Sequence, residues 1–87
     1  MTVHVLQHYY DTPDVEGNEI IGVYKDIEEA RADMSVAAAV IRAEFPVDIW
    51  DKDMTWCEDN EIHLGFDRKG DMLATIYCWE IVTMEVQ

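Results

Sequence analysis

The chain of 87 residues carries 19 carboxylates against six Lys or Arg, a formal charge of −13, yet 49% of its residues are apolar. Such a charge excludes direct binding of DNA, RNA or anionic lipid, whose phosphates need cations. The apolar share, with three Trp, four Tyr and two Phe, excludes disorder, and no apolar run approaches the roughly 20 residues of a bilayer-spanning helix.

One domain is expected, with a thin stability margin, because a chain this short buries only about 60–65% of the surface that its unfolded form exposes. The opening MTVHVLQHYY has neither the basic start nor the small-residue cleavage site of a signal peptide, so a cytoplasmic location is expected. Residues 2–10 read as a first strand, in which Val3, Val5 and Tyr9 alternate with His4, Leu6, His8 and Tyr10. Asp11–Asn18 is a polar loop with the turn residues Pro13 and Gly17, and Asn18–Lys25 is a second strand, antiparallel to the first. Gly22 within it signals a bulge or a close packing contact.

A helix follows. Asp26 stands at the N-cap position with Glu29 three residues on, Glu28, Glu29 and Asp33 lie toward the positive end of the dipole, and Pro46 ends the helix around Glu44 or Phe45. The remainder is β-rich. Val47–Trp50 and Met54–Cys57 are short candidate strands. Ile62–Phe66 and Met72–Trp79 flank a hairpin turn at Asp67–Gly70, and the last strand continues from Trp79 to Val86 after a bend. The expected class is α+β, in the order β-β-α-β-β(-β), with an antiparallel or mixed sheet and one helix packed on one face.

At 100° per residue the helix has two apolar arcs. Ile27, Ala30, Met34, Ala37, Ala38, Ile41 and Phe45 form the stripe expected against the sheet. Ala32, Val36, Ala39, Val40 and Ala43 form a second arc on the opposite side. Either these are good helix formers left in solvent, or Val36 and Val40 sit in a homodimer or partner interface that small alanines let approach.

Chemistry-bearing patterns are few. Asp51, Asp53 and Thr55 match the opening of a calcium loop, but Trp56 stands where Gly is needed and Ile62 where a bidentate Glu is needed. On a strand, His4 and His8 lie too far apart to share one metal ion, and with His63 they read as structural. Cys57 and Cys78 share no CxxC spacing and read as reduced thiols, although a disulfide between them stays open. No glycine-rich phosphate loop and no nucleophile motif accompany them. The expectation is a protein without catalytic residues, metal or cofactor.

The acid is concentrated. Between Glu44 and Glu61 stand seven carboxylates (Glu44, Asp48, Asp51, Asp53, Glu58, Asp59, Glu61) against the single Lys52, with Trp50 and Trp56 interleaved. An acidic surface with aromatic anchors suits capture of a basic groove on a partner protein, such as a nuclease or another nucleic-acid binder. The alternative is solvated loops with both Trp turned into the core.

The stretches VHVLQHYYD, EIIGVYKDIEEARADM and IYCWEIVTMEV resemble a small bacterial and phage domain family of unknown function. Its members open with "YVLxHxY", continue with "IGVY" and a Ser- or Asp-capped "EEA" helix, and close on an aromatic-rich strand. The likeness spans Val3–Tyr10, Ile21–Tyr24, Asp26–Ala30 and Tyr77–Glu85, about half the chain, and departs from the family at Asp48–Asn60 and Ile62–Phe66. It brings no catalytic residues. The function expected is that of a non-enzymatic acidic blocker of a basic partner, of the anti-defence, DNA-mimic or immunity kind, acting in the host cytoplasm if phage-encoded. The alternative is a small structural or regulatory homodimer joined through the outer helix arc.

Overall fold

The computed structural model describes residues 1–12, 14–45, 54–66 and 75–87. Among them are strand β1 (Thr2–Asp11), strand β2 (Glu16–Tyr24), helix α1 (Ile27–Glu44), and strands β3 (Trp56–Glu58), β4 (Glu61–Phe66) and β5 (Thr75–Glu85). The strands form one antiparallel sheet in the order β2-β1-β5-β4-β3, and α1 packs on one face. The α+β class is as expected. The segment expected as strand at 47–50 and the turn expected at 67–70 lie outside the described residues.

β1 and β2 form a hairpin closed by Thr12, whose backbone N–H donates to the Val15 carbonyl at 2.9 Å while its hydroxyl accepts from the Val15 N–H at 3.0 Å. The ladder shifts register between Leu6 and Gln7, which face Gly22 and Ile20 and leave Ile21 as the extra residue of a bulge. Gly22 serves the close contact as well, because the Tyr24 ring lies across it and a Cβ there would stand 2.8 Å from the phenol oxygen.

The expected bend near Trp79 does not occur. β5 runs unbroken for 11 residues because it is the central strand, with β1 paired along it from Thr2↔Glu85 to Asp11↔Ile76 and β4 on its other side. The ladder reaches the chain ends, where Val86 N–H donates to the Met1 carbonyl at 2.7 Å and the Thr2 hydroxyl donates to the Glu85 carboxylate.

Asp26 caps α1, its carboxylate accepting the Glu28 N–H at 2.9 Å, one residue earlier than the Glu29 pattern implied. The first apolar arc meets the sheet as expected. Ala30, Met34 and Ala38 are buried against Leu6, Ile62, Leu64, Trp79 and Ile81, with Ile27, Ala37 and Ile41 packed beside them. Ala30 and Ala38 bring the α1 backbone close to the sheet, so most of the large buried groups, Trp79 above all, come from the strands, with Met34 the helix's own large contribution. Two polar ties orient the helix. Tyr24 O–H donates to Asp33 at 2.6 Å, and Arg31 donates to Asn60 in the β3–β4 turn at 3.0 and 3.1 Å and to Glu28 at 2.6 Å. Phe45, beyond the last turn, packs on Phe66 with ring centres 4.6 Å apart. No helix among the described residues is long and apolar enough to cross a membrane.

Candidate interaction surface

Alternation along a strand sends every second side chain away from α1, and directly opposed residues of antiparallel strands share a face about 4.5–5.5 Å apart. Because Leu6, Ile62, Leu64, Trp79 and Ile81 face the helix, the pairing register determines what the other face displays. One row across it reads Glu58–Glu61–Glu80–Gln7–Ile20, from β3 to β2. The next reads Trp56–His63–Cys78–Tyr9–Asn18. On the other side of the carboxylate row lie Val82–Val5–Val23 and then Met84–Val3.

Three carboxylates thus stand side by side on three adjacent strands. Asp11 and Glu16, paired with each other, add two more to this face farther along the sheet. No Lys or Arg lies in any strand among the described residues. The helix layer differs, since Glu28, Glu29, Asp33 and Glu44 share it with Arg31 and Arg42. Negative charge therefore occurs on both faces, but among the described strands and helix Lys and Arg occur only on α1.

Two titrating groups feel this field. The Cys78 thiol is pushed up to about 11, first by burial, then by the Glu61 and Glu80 charges; its S–H donates to Glu61 at 3.9 Å. Tyr9 is raised as well, by partial burial and then by Glu16 and Asp11. An open hollow of about 220 Å³, lined by Gln7, His8, Tyr9, Asn18, Cys78 and Glu80, lies where these rows meet.

Trp56 is 40% exposed and lies flat on His63, ring centres 4.1 Å apart and planes 3° apart. Its indole therefore belongs to the surface and not to the core. The His63 Nδ1–H donates to the Met54 carbonyl at 2.6 Å, which holds the ring under Trp56. Met54 itself covers Gly65, where a Cβ would stand 2.6 Å from the Met54 Cβ. His8 points to the opposite face, stacks on Trp79 at 4.6 Å and donates from Nδ1 to the Cys78 carbonyl at 3.0 Å. Cys57 pairs with Ile62 and so lies on the helix side, whereas Cys78 lies on the outer side; both are free thiols, and the disulfide left open by the sequence does not form.

Of the residues expected at the acidic surface, Trp56, Glu58 and Glu61 come together on the outer face, and exposed Asp59 occupies the adjoining turn. Glu44 does not join them. It ends α1 beside Phe45, which packs on Phe66 at the far end of β4 from Glu61, roughly 17 Å along the strand. Asp48, Trp50, Asp51 and Asp53 lie outside the described residues. Glu80, Tyr9, His63 and the valine rows were missed. One signal was available for the valines: Val3, Val5 and Leu6 make β1 apolar on both parities, as in a strand covered on both faces. The outer helix arc is exposed as expected, with Val36 at 64% and Val40 at 56%, flanked by exposed Ala32, Ala39 and Ala43.

Comparison with family models, with curated proteins and with solved structures finds no match to this chain.

Proposed function

We propose that the protein acts without catalysis, as an acidic binding protein that masks a basic surface of a partner protein in the cytoplasm, and that the outer sheet face is the masking surface. A nuclease or other nucleic-acid-binding partner fits best, because a carboxylate array competes with phosphate for the same Lys and Arg side chains. The observation that carries the reading is the Glu58–Glu61–Glu80 row on a face whose described strands hold no cation. Like charges directly opposed across strands cost stability, so a fold gains nothing internally from this row. Beside it Trp56 offers a rigid, half-exposed aromatic anchor, the residue type most enriched at binding hot spots.

The experiment compares two triple charge reversals of equal net charge, Glu58→Lys with Glu61→Lys and Glu80→Lys, and Asp14→Lys with Glu19→Lys and Glu29→Lys. Their affinities for an oligo-arginine peptide are measured across a salt titration. The outer-face variant should lose at least about tenfold more affinity than the other, together with most of its salt dependence. Equal losses would reduce the effect to net charge and refute a defined surface.

A second reading, a homodimer joined through α1, draws on the exposure of Val36 and Val40. Solution mass tests it: a wild type that is monomeric, as Val36→Asp with Val40→Lys would be, removes it.

A further inference from the structure

The proposed masking surface has an apolar half that charge alone does not use. Ile20 is 66%, Val23 61% and Met84 50% exposed, and between them half-buried Val3 and Val82, flanking buried Val5, complete an apolar patch across β2, β1 and β5. Glu58, Glu61 and Glu80 occupy β3, β4 and β5, while Asp11 and Glu16 stand farther along, at the hairpin end of β1 and β2. From Met84 to Glu80 the outer face is therefore divided, apolar on β2 and β1 and acidic on β4 and β3, with β5, which carries Val82 and Met84 beside Glu80, as the boundary. Single exposed aliphatic residues are ordinary, but a contiguous apolar patch rimmed by charge marks a site of association.

Building on the reading above, we infer that the occupant of this face is an amphipathic, cationic helix of the partner protein, laid along β5 and β1 with its apolar stripe on the valines and its Lys and Arg side chains over Glu58, Glu61 and Glu80. A sheet face, unlike a sheet edge, is complemented by a helix or another sheet, and α1 covers the opposite face of the same strands in that way. A helix about 10–12 Å across spans two to three strands at about 4.8 Å each, the width over which the face changes from apolar to acidic. Charge selects among occupants. A second copy brings another −13, and an anionic bilayer is repelled in the same way. A cationic helix satisfies both flanks.

Three helical peptides serve as probes: one built of Leu and Lys in an amphipathic pattern, one of equal charge with Ser in place of Leu, and an anionic Leu and Glu counterpart. Binding is followed by Trp56 fluorescence and calorimetry. The Leu/Lys peptide should bind at least about tenfold more tightly than Ser/Lys, and Leu/Glu should not bind. Ile20→Ser with Val23→Ser, and independently Met84→Ser, should erase the Leu/Lys advantage while leaving Ser/Lys binding unchanged; these side chains are exposed, so folding is retained. Glu58→Gln with Glu61→Gln and Glu80→Gln should weaken both cationic peptides. Equal binding of Leu/Lys and Ser/Lys, or serine variants without effect, overturns the helix inference and leaves the acidic reading standing. A triple Gln variant that binds both cationic peptides like wild type overturns the acidic reading itself. A wild-type dimer that the serine variants dissolve makes a second copy the occupant and overturns the inference by another route.

Discussion

If the carboxylate row is an uncompensated surface, removing its central charge must stabilise the protein. Glu61 has two like-charged direct partners, Glu58 on β3 and Glu80 on β5. Directly opposed like charges each cost about 0.2–1 kcal/mol in a sheet, and Glu58 and Glu80 are solvated, so the lower half of that range applies. Glu61→Gln keeps the side chain's shape and an acceptor oxygen for the Cys78 thiol, and relieves both pairs, a gain of about 1 kcal/mol. Unfolding entropy of about 2.1 cal/mol/K per residue over 87 residues translates this into a rise of about 5 °C in melting temperature. Circular-dichroism melts at low ionic strength read it directly. In 1 M salt, where the screening length is about 3 Å, the difference should shrink toward zero. Glu80→Gln, which relieves one pair, should give about half the effect. An unchanged or lowered melting temperature for Glu61→Gln at low salt would mean that the fold itself uses these charges, and the argument for a partner would collapse.

Four further outcomes are expected. The Cys78 thiol, held up at about 11, should alkylate far more slowly at pH 8 than exposed Cys57, and oxidation should give a covalent dimer that Cys57→Ser abolishes and Cys78→Ser does not. Because the folded-state value lies above that of the unfolded thiol, the protonated Cys78 adds stability that is complete below about pH 9 and declines as pH rises toward about 11, which denaturant titrations across that window would register. Gly65→Val should cost about 1–3 kcal/mol in chemical denaturation, since its Cβ would stand 2.6 Å from the Met54 Cβ and 2.9 Å from the Met54 carbonyl oxygen, forcing Met54 off the sheet. Trp79→Ala, at 1% exposure, should cost about 3–5 kcal/mol, a large part of the roughly 4–13 kcal/mol available to a domain of this size, and leave a cooperative transition only at low denaturant.

Local chemistry made much of the fold readable in advance. A 3.6-residue apolar period, an Asp cap and a following Pro act within one helix, and α1 with its buried Ala30, Met34 and Ala38 follows from them. The β-forming residues of β1 and the turn residues after it act within one hairpin and made that hairpin legible, although Asp11, Glu16, Gly17 and Asn18, expected in the loop, belong to the strands. Strand order did not follow, because nothing local tells β5 to insert between β1 and β4. Once it does, residues far apart in the chain become neighbours: Glu61 and Glu80 pair across strands, Val82 joins Val5 and Val23, and Trp56 finds His63. The same insertion separates what the chain keeps close. Glu44 and Glu58 belong to one acidic run in sequence, yet the helix carries Glu44 to the Phe66 end of the sheet while β3 begins beside His63. Composition determines how much negative charge there is. Only long-range pairing, which has no signature within a short window of residues, decides that five of those carboxylates share the face opposite α1, on described strands that hold no Lys or Arg.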